Sequence, residues 1–295
     1  LIWSRPNQVP IVAKVPSSPG DPSRALLQLI VELGVPGDEE IVHGSTVATN
    51  VVLEGTGARV ALVTTRGFED VIEIGRQTRQ ALYDLNVPPR KTLVARDGRF
   101  GVTERVTAEG EVHIPLDETD ADTIAERIAD SRFESVAVSL LFSFLHPAHE
   151  EAIREALTRR LDADIPVSLS SVVLPEFREY ERTSTTVLNA YVAPVVDRYV
   201  SRLRSELPNS IRTFSSSGGS LTARETIERP VQMLLSGPAG GVTGAFAIAQ
   251  AVGIEQVITF DMGGTSTDVA LCPGEIPRTN EGEIAGLPVR LQTVD

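Results

Sequence analysis

Cys272 has no second cysteine to pair with, so this 295-residue chain closes no intrachain disulfide, and a lone thiol fits a reducing, cytoplasmic setting. Its place in an apolar strand suits a buried, inert thiol better than a nucleophile. Lysine is nearly missing as well. Lys14 and Lys91 are the only two, and neither stands in a glycine-rich stretch, which excludes a Walker-type phosphate loop. No run of about 20 apolar residues offers a membrane span, and no signal-peptide pattern is present. Basic residues number 27 against 40 acidic ones, and the net charge of −13 disfavours non-specific binding to nucleic acid or anionic membranes. The nucleophile elbow and the dinucleotide fingerprint are absent too. An opening on Leu1-Ile2-Trp3, without Met, reads as the interior of a longer polypeptide.

What is present alternates between strand and helix. The pattern predicts strands over 9–15, 40–43, 59–64, 135–142, 167–171 and 211–214, and helices over 21–34, 46–53, 118–131 and 147–161. Pro22 at the first helical position and Gly34 just past the end bracket the first helix. Residues 75–110 are charged, contain proline and lack periodicity, and are expected to form a loop or hairpin excursion. A long helix is expected over 177–207, with a kink at Pro194. Its stripe of Tyr180, Tyr191 and Tyr199 reads as core packing. The alternation argues an α/β fold with a largely parallel sheet. The best domain boundary falls at 208, dividing 1–208 from 209–295.

The densest motif follows the apolar run 256–260. It reads Phe260-Asp261-Met262-Gly263-Gly264-Thr265-Ser266-Thr267-Asp268 and leads into a second strand. Two adjacent glycines let the main chain come close to a phosphate, because no Cβ blocks the approach. Turn N–H groups and the Thr265 and Thr267 hydroxyls are then donors to phosphate oxygens. Asp261 and Asp268 would repel phosphate unless a divalent cation lay between, which implies Mg²⁺ and an ATP-handling protein. The plainer alternative is a tight hairpin whose Asp and Thr side chains only satisfy the turn.

Four other stretches carry candidate chemistry. Ser236-Gly237-Pro238-Ala239-Gly240-Gly241 precedes a helix expected over 242–252, and suits either phosphate approach or close helix packing. Ser215-Ser216-Ser217-Gly218-Gly219 is a polar ligand loop or, with better odds, a flexible connector. His43-Gly44-Ser45-Thr46, leading into Asn50, marks a substrate or phosphate pocket, unless Thr46 merely caps a helix. His146 and His149 have metal-like spacing, yet no third ligand converges on them.

The runs 43–50, 61–68, 74–77, 235–241 and 260–268 together resemble the hydantoinase A / 5-oxoprolinase family, in order and spacing over nearly the whole chain. The resemblance implies an actin-like ATPase architecture, shared with heat-shock chaperones and sugar kinases: two ribonuclease-H-like α/β domains with ATP between them. On that likeness 1–208 is a near-complete N-terminal-type domain and 209–295 the first part of the ATPase domain. A further acidic Gly-Gly-Thr loop would precede residue 1, and the adenosine segments would follow Asp295.

The activity implied is phosphoryl transfer onto the carbonyl oxygen of a cyclic amide of hydantoin or 5-oxoproline type. A ketone carboxylase subunit and an actin-like chaperone or reactivase are the alternatives. Asp261 would face Mg²⁺, with Asp261 and Thr265 catalytic. Gly263, Gly264, Thr265, Thr267, Asp268, Ser236, Gly237, Gly240 and Gly241 would hold ATP. His43, Thr46, Asn50 and Arg76 would take the substrate side. A hydantoinase B-type subunit or domain is the partner implied.

Overall fold

The computed structural model describes residues 2–3, 11–16, 18, 21–78, 83, 86, 92–262 and 267–294. Its centre is a four-stranded parallel sheet, ordered Arg99–Val102, Val60–Thr65, Ser135–Ser139, Val167–Leu169. Val60-Ala61-Leu62-Val63 and Val136-Ala137-Val138 are buried throughout, as expected of strands covered on both faces. Alternate residues feed different cores. Ala61, Val63, Val136 and Val138 pack with the helices Glu118–Ala129 and Ala148–Thr158. Val60, Leu62 and Ala137 turn the other way, toward Val187, Leu188 and Val192 of the long helix Glu179–Glu206.

From Tyr180 to Ala193 that helix is buried all round, so its sequence carries hydroxyls and amides there where an amphipathic helix would show a polar face. Each has a partner. Thr183 meets Ser139 Oγ at 2.8 Å, Ser184 donates to Pro288 O at 2.7 Å, and Thr185 Oγ1 accepts from Arg290 N at 3.0 Å. Asn189 donates to Ser168 Oγ and accepts from Val231 N, both at 3.0 Å. Pro194 lies inside the helix.

A second, three-stranded sheet crosses position 208. Ile211–Phe214 runs parallel to Ile41–His43 and antiparallel to Ser220–Thr222. Ile41 and Ile211 are opposite one another in register, and Val231, Met233 and Leu234 join Leu26, Ile30 and Val51 in one core. The helix Ser236–Ala251 then leads to an antiparallel hairpin of Gln256–Met262 and Thr267–Pro273. Its inner face, with Ala270 and Cys272, packs on Val242 and Phe246, so the thiol is buried as expected. Its outer face exposes Ile258, Phe260, Met262, Val269 and Leu271.

Two expectations need correcting. Within 75–110, Arg96–Gly98 forms a 3₁₀ turn and Arg99–Val102 is the edge strand of the parallel sheet. Only Phe100 and Val102 face the core there, too few for a periodic signal. Arg99, in this charged stretch, has a side chain 3% exposed, bound to Asp70 at 2.8 Å and Glu73 at 2.7 Å. The helix expected from 242 begins at Ser236, because Pro238 in a first turn removes no needed hydrogen bond.

Candidate functional site

At the hairpin tip Asp261 and Asp268 are directly opposite in the antiparallel register. Such a pair holds its Cβ atoms about 4.5–5.5 Å apart on one face, and like charges so placed are destabilising. Asp261 is exposed and Asp268 half-buried. A divalent cation beside both carboxylates removes the repulsion and meets the oxygen donors a hard cation prefers, so this donor set fits Mg²⁺. Gly263, Gly264 and Thr265 lie outside the described residues, as does the Thr267 side chain.

The helix after Leu235 starts against the 43–50 segment. Leu235 takes a left-handed backbone, φ 59°, and its N–H donates to Thr49 Oγ1 at 3.1 Å. Ser236, buried, donates to Ser45 O at 3.0 Å. A side chain at Gly237 would stand 3.3 Å from Thr46 Cγ2, a tight approach that glycine relieves. Gly240 faces the Phe214 ring, and Gly241 faces open space. Two motifs nearly 190 residues apart are thereby docked on one another. Only residues 252–255 separate the helix from the strand that follows, so the helix C-terminus lies by the strand's start. The helix packs on the hairpin through Val242 and Phe246, against Ala270 and Cys272.

Thr46 and Asn50 line a cavity of about 680 Å³ together with Asp21, Ser45, Arg198 and Tyr199. His43 stands behind this wall. Its Nε2 meets the Tyr199 hydroxyl. Burial holds the His43 pKa down at about 4, so the ring is neutral at physiological pH, and burial raises that of Tyr199. Between about pH 6.5 and 4 an unfolded chain binds a proton here and the folded one does not. Stability from this group is complete above that window and lost as pH falls through it. Urea midpoints at about pH 7.5 and about pH 5 should therefore differ less in His43→Gln than in the parent protein.

Arg76 is set apart from this cavity. It bonds Glu181, at the first turn of the long helix, and lies 3.8 Å from Glu281. Glu181 and Tyr199 are separated by roughly 27 Å along the helix, at about 1.5 Å per residue. His43, Thr46 and Asn50 come together, and Arg76 does not join them. Tyr199 was read from the sequence as core. It is 7% exposed, yet its hydroxyl serves the cavity wall. No local signal could pair it with a histidine 156 residues away.

Two family models cover the chain in succession: the hydantoinase/oxoprolinase N-terminal region over residues 1–161, and hydantoinase/oxoprolinase over 182–295. The chain belongs to the hydantoinase/oxoprolinase family. Among relatives of this hydantoinase/oxoprolinase chain is the caprolactamase subunit alpha of Pseudomonas jessenii, 37% identical over 90% of this chain and 40% of the relative. The crystal structure of the ATP-dependent caprolactamase from that organism superposes with a TM-score of 0.85 at 31% identity, over 100% of this chain and 45% of the other. A 5-oxoprolinase of Pestalotiopsis fici is 32% identical over 92% of this chain and 24% of its own. A nucleotide-free acetone carboxylase structure matches with a TM-score of 0.79 and 27% identity, over 95% and 43%. The chain thus spans less than half the length of these relatives, and its mixed α/β fold is theirs.

In the hydantoinase/oxoprolinase chain the serine loop is firmly held. Ser216 donates from its hydroxyl to Gln292 O at 2.9 Å and from its N–H to Gln232 O at 2.8 Å, while Ser215 Oγ accepts from Gly219 N at 3.2 Å. A flexible connector is therefore not what these residues form. His149 binds Glu104 at 2.9 Å, and no group of three metal-ligating side chains exists among the described residues. No described helix is long and apolar enough to cross a membrane.

Proposed function

We propose that this hydantoinase/oxoprolinase chain carries the phosphate-binding side of an ATP-dependent enzyme that opens a cyclic amide of hydantoin, 5-oxoproline or lactam type. The opposed Asp261–Asp268 pair at the hairpin tip, in a chain whose glycine-rich helix start is seated on 43–50, is the observation that supports it most. ATP with Mg²⁺, when bound, supplies the phosphoryl group that makes a carbonyl oxygen a good leaving group. Asp261 holds the metal, with Asp268 beside it. Main-chain N–H groups of Gly263 and Gly264, with the hydroxyls of Thr265 and Thr267, donate to phosphate oxygens. Ser236, Gly237, Gly240 and Gly241 let the helix start close on the same group, where the helix dipole favours negative charge. Thr46 and Asn50 orient the small molecule, and His43 acts from behind the wall through Tyr199. Arg76 holds the turn after Val71–Ile74 to the long helix through Glu181, outside this set.

A hydantoinase B-type subunit is the proposed partner, in keeping with relatives named as subunits. The likeness to acetone carboxylase supports a second reading, ATP-dependent carboxylation of a ketone. ATP turnover by the intact protein separates the two. Stimulation by hydantoin, 5-oxoproline or a lactam is expected. Stimulation by acetone or acetophenone with bicarbonate alone would move the assignment to carboxylation, and a response to none of them would end both.

A further inference from the structure

The serine loop 215–219 has no part in the phosphate set, yet it walls a separate cavity of about 250 Å³. We propose that this cavity is a binding subsite for one uncharged polyhydroxyl ring, a free sugar or the ribose of a nucleotide. Its place in the fold suits a ligand. Ile211–Phe214 and Ile41–His43 run parallel with Thr213 opposite His43, so both leave the sheet at one carboxyl edge, where α/β sheets take their ligands. The helix start seated on 43–50 also meets this loop. A side chain at Gly218 would stand 3.0 Å from Thr243 Oγ1, and Gly240 faces the Phe214 ring.

The chemistry of the wall decides the ligand class. Its lining residues are all uncharged. Arg212 is spent on Ser220, donating to its Oγ at 2.9 Å and its carbonyl at 3.0 Å. A nest of free main-chain N–H groups would also hold an anion, but the loop has none to offer. The N–H groups of Ser215, Ser216, Gly218 and Gly219 bond Gly219 O, Gln232 O, Ser215 O and Ser215 Oγ, which leaves that of Ser217 alone. A phosphate or carboxylate therefore finds no countercharge. Neutral donors and acceptors are plentiful. Gln232 and Gln292 line the cavity, and their side-chain amides bond no described residue. Each amide offers N–H donors and an acceptor oxygen. Ser220, whose oxygen accepts from Arg212, donates to no described residue, and Ser217 Oγ has one contact, Ser215 Oγ at 2.9 Å. Hydroxyl groups, each donor and acceptor at once, match this mixture. Leu221 and Leu291 add an apolar wall for the C–H face of a ring. At about 250 Å³ the space lies below the roughly 300–1,000 Å³ that drug-sized ligands take, which fits a single ring.

Calorimetry of the intact protein with ADP and its dideoxyribose analogue, beside saturation-transfer NMR with D-ribose and D-glucose, separates the two sources. If the cavity holds the nucleotide's own ribose, ADP should bind about tenfold tighter than the analogue, and Gln232→Ala with Gln292→Ala should lower that preference about five- to tenfold. If it holds a free sugar, the two nucleotides should bind alike and the sugar signal should vanish in the double variant. Gln292→Ala alone, at an exposed position, repeats the test with folding intact. A nucleotide preference or sugar signal that neither substitution moves overturns the proposal, as does binding of none of these compounds. The nucleotide source rests on the ATP reading, and the free-sugar source does not. Sugar binding without nucleotide binding removes that reading and keeps the subsite. ADP binding indifferent to its ribose, with no sugar signal, does the reverse.

Discussion

Changing Asp261 to asparagine is expected to lower magnesium-dependent ATP turnover of the intact protein about 10²–10³-fold, the scale seen when one group is removed from a preorganised electrostatic site. A carboxamide offers a neutral oxygen where the metal needs charge, and the deficit should shrink as Mg²⁺ is raised. Stability should not fall with activity. Asp261 is exposed, and its register partner is Asp268, so the substitution relieves a like-charge contact. Thermal unfolding at or slightly above the parental midpoint is the matching control. Turnover within twofold of the parent would remove Asp261 from the metal site.

The second large effect concerns stability. Arg182 is 1% exposed, and its guanidinium donates to Leu140 O at 2.7 Å, Glu176 O at 2.9 Å and Ser170 Oγ at 3.2 Å. Ser170 passes its own hydrogen to Glu150 at 2.6 Å, and that carboxylate also accepts from Leu140 N and Ser171 N, each at 2.9 Å. Burial pulls the Arg182 pKa down, and the Glu150 charge opposes it. Arg182→Met removes the cation that faces the fully buried Glu150 across Ser170, leaves Glu176 O without its donor and leaves Leu140 O with only the Ser143 N–H at 3.4 Å. The expected loss is about 3–5 kcal/mol, as for other broken buried pairs. Against a total of about 5–15 kcal/mol that is enough to move a urea midpoint far. Adding Glu150→Gln should restore part of it, because the stranded charge is the larger share of the penalty.

Local chemistry made much of this fold readable. Pro22 and Gly34 bracket a helix observed over Pro22–Leu33, and Gly34 takes the left-handed backbone expected there, φ 60°. The apolar runs around Leu62 and Ala137 are parallel strands, and the long periodic stretch is one helix. Sequence reasoning failed where pairing over distance decides structure. The charged stretch 75–110 reads as a loop until Asp70 and Glu73 neutralise Arg99 and its strand joins the sheet. Ser236 and Pro238 resemble a turn until Ser45 and Thr49 receive the helix start. The cavity was legible through Thr46 and Asn50. Tyr199 was not, because a buried tyrosine announces packing and only its hydroxyl's partner reveals the rest.

The helix Glu179–Glu206 serves as roof to one sheet and floor to the other, since Val187, Leu188 and Val196 share a core with Leu62 on one side and Ile211 on the other. A cut between the two family-matched stretches, after residue 161 and before 182, would therefore strip the covering from Val60, Leu62 and Ala137. The core around Ala61, Val63 and Ile128 would stay with the first piece, but the one between Leu62 and the long helix would be split, with Val60, Leu62 and Ala137 left on one piece and Val187, Leu188 and Val192 on the other. What the sequence families divide into two names, the molecule joins through one shared core, and chimeras between relatives need to carry both stretches from the same parent to keep that core's partners matched.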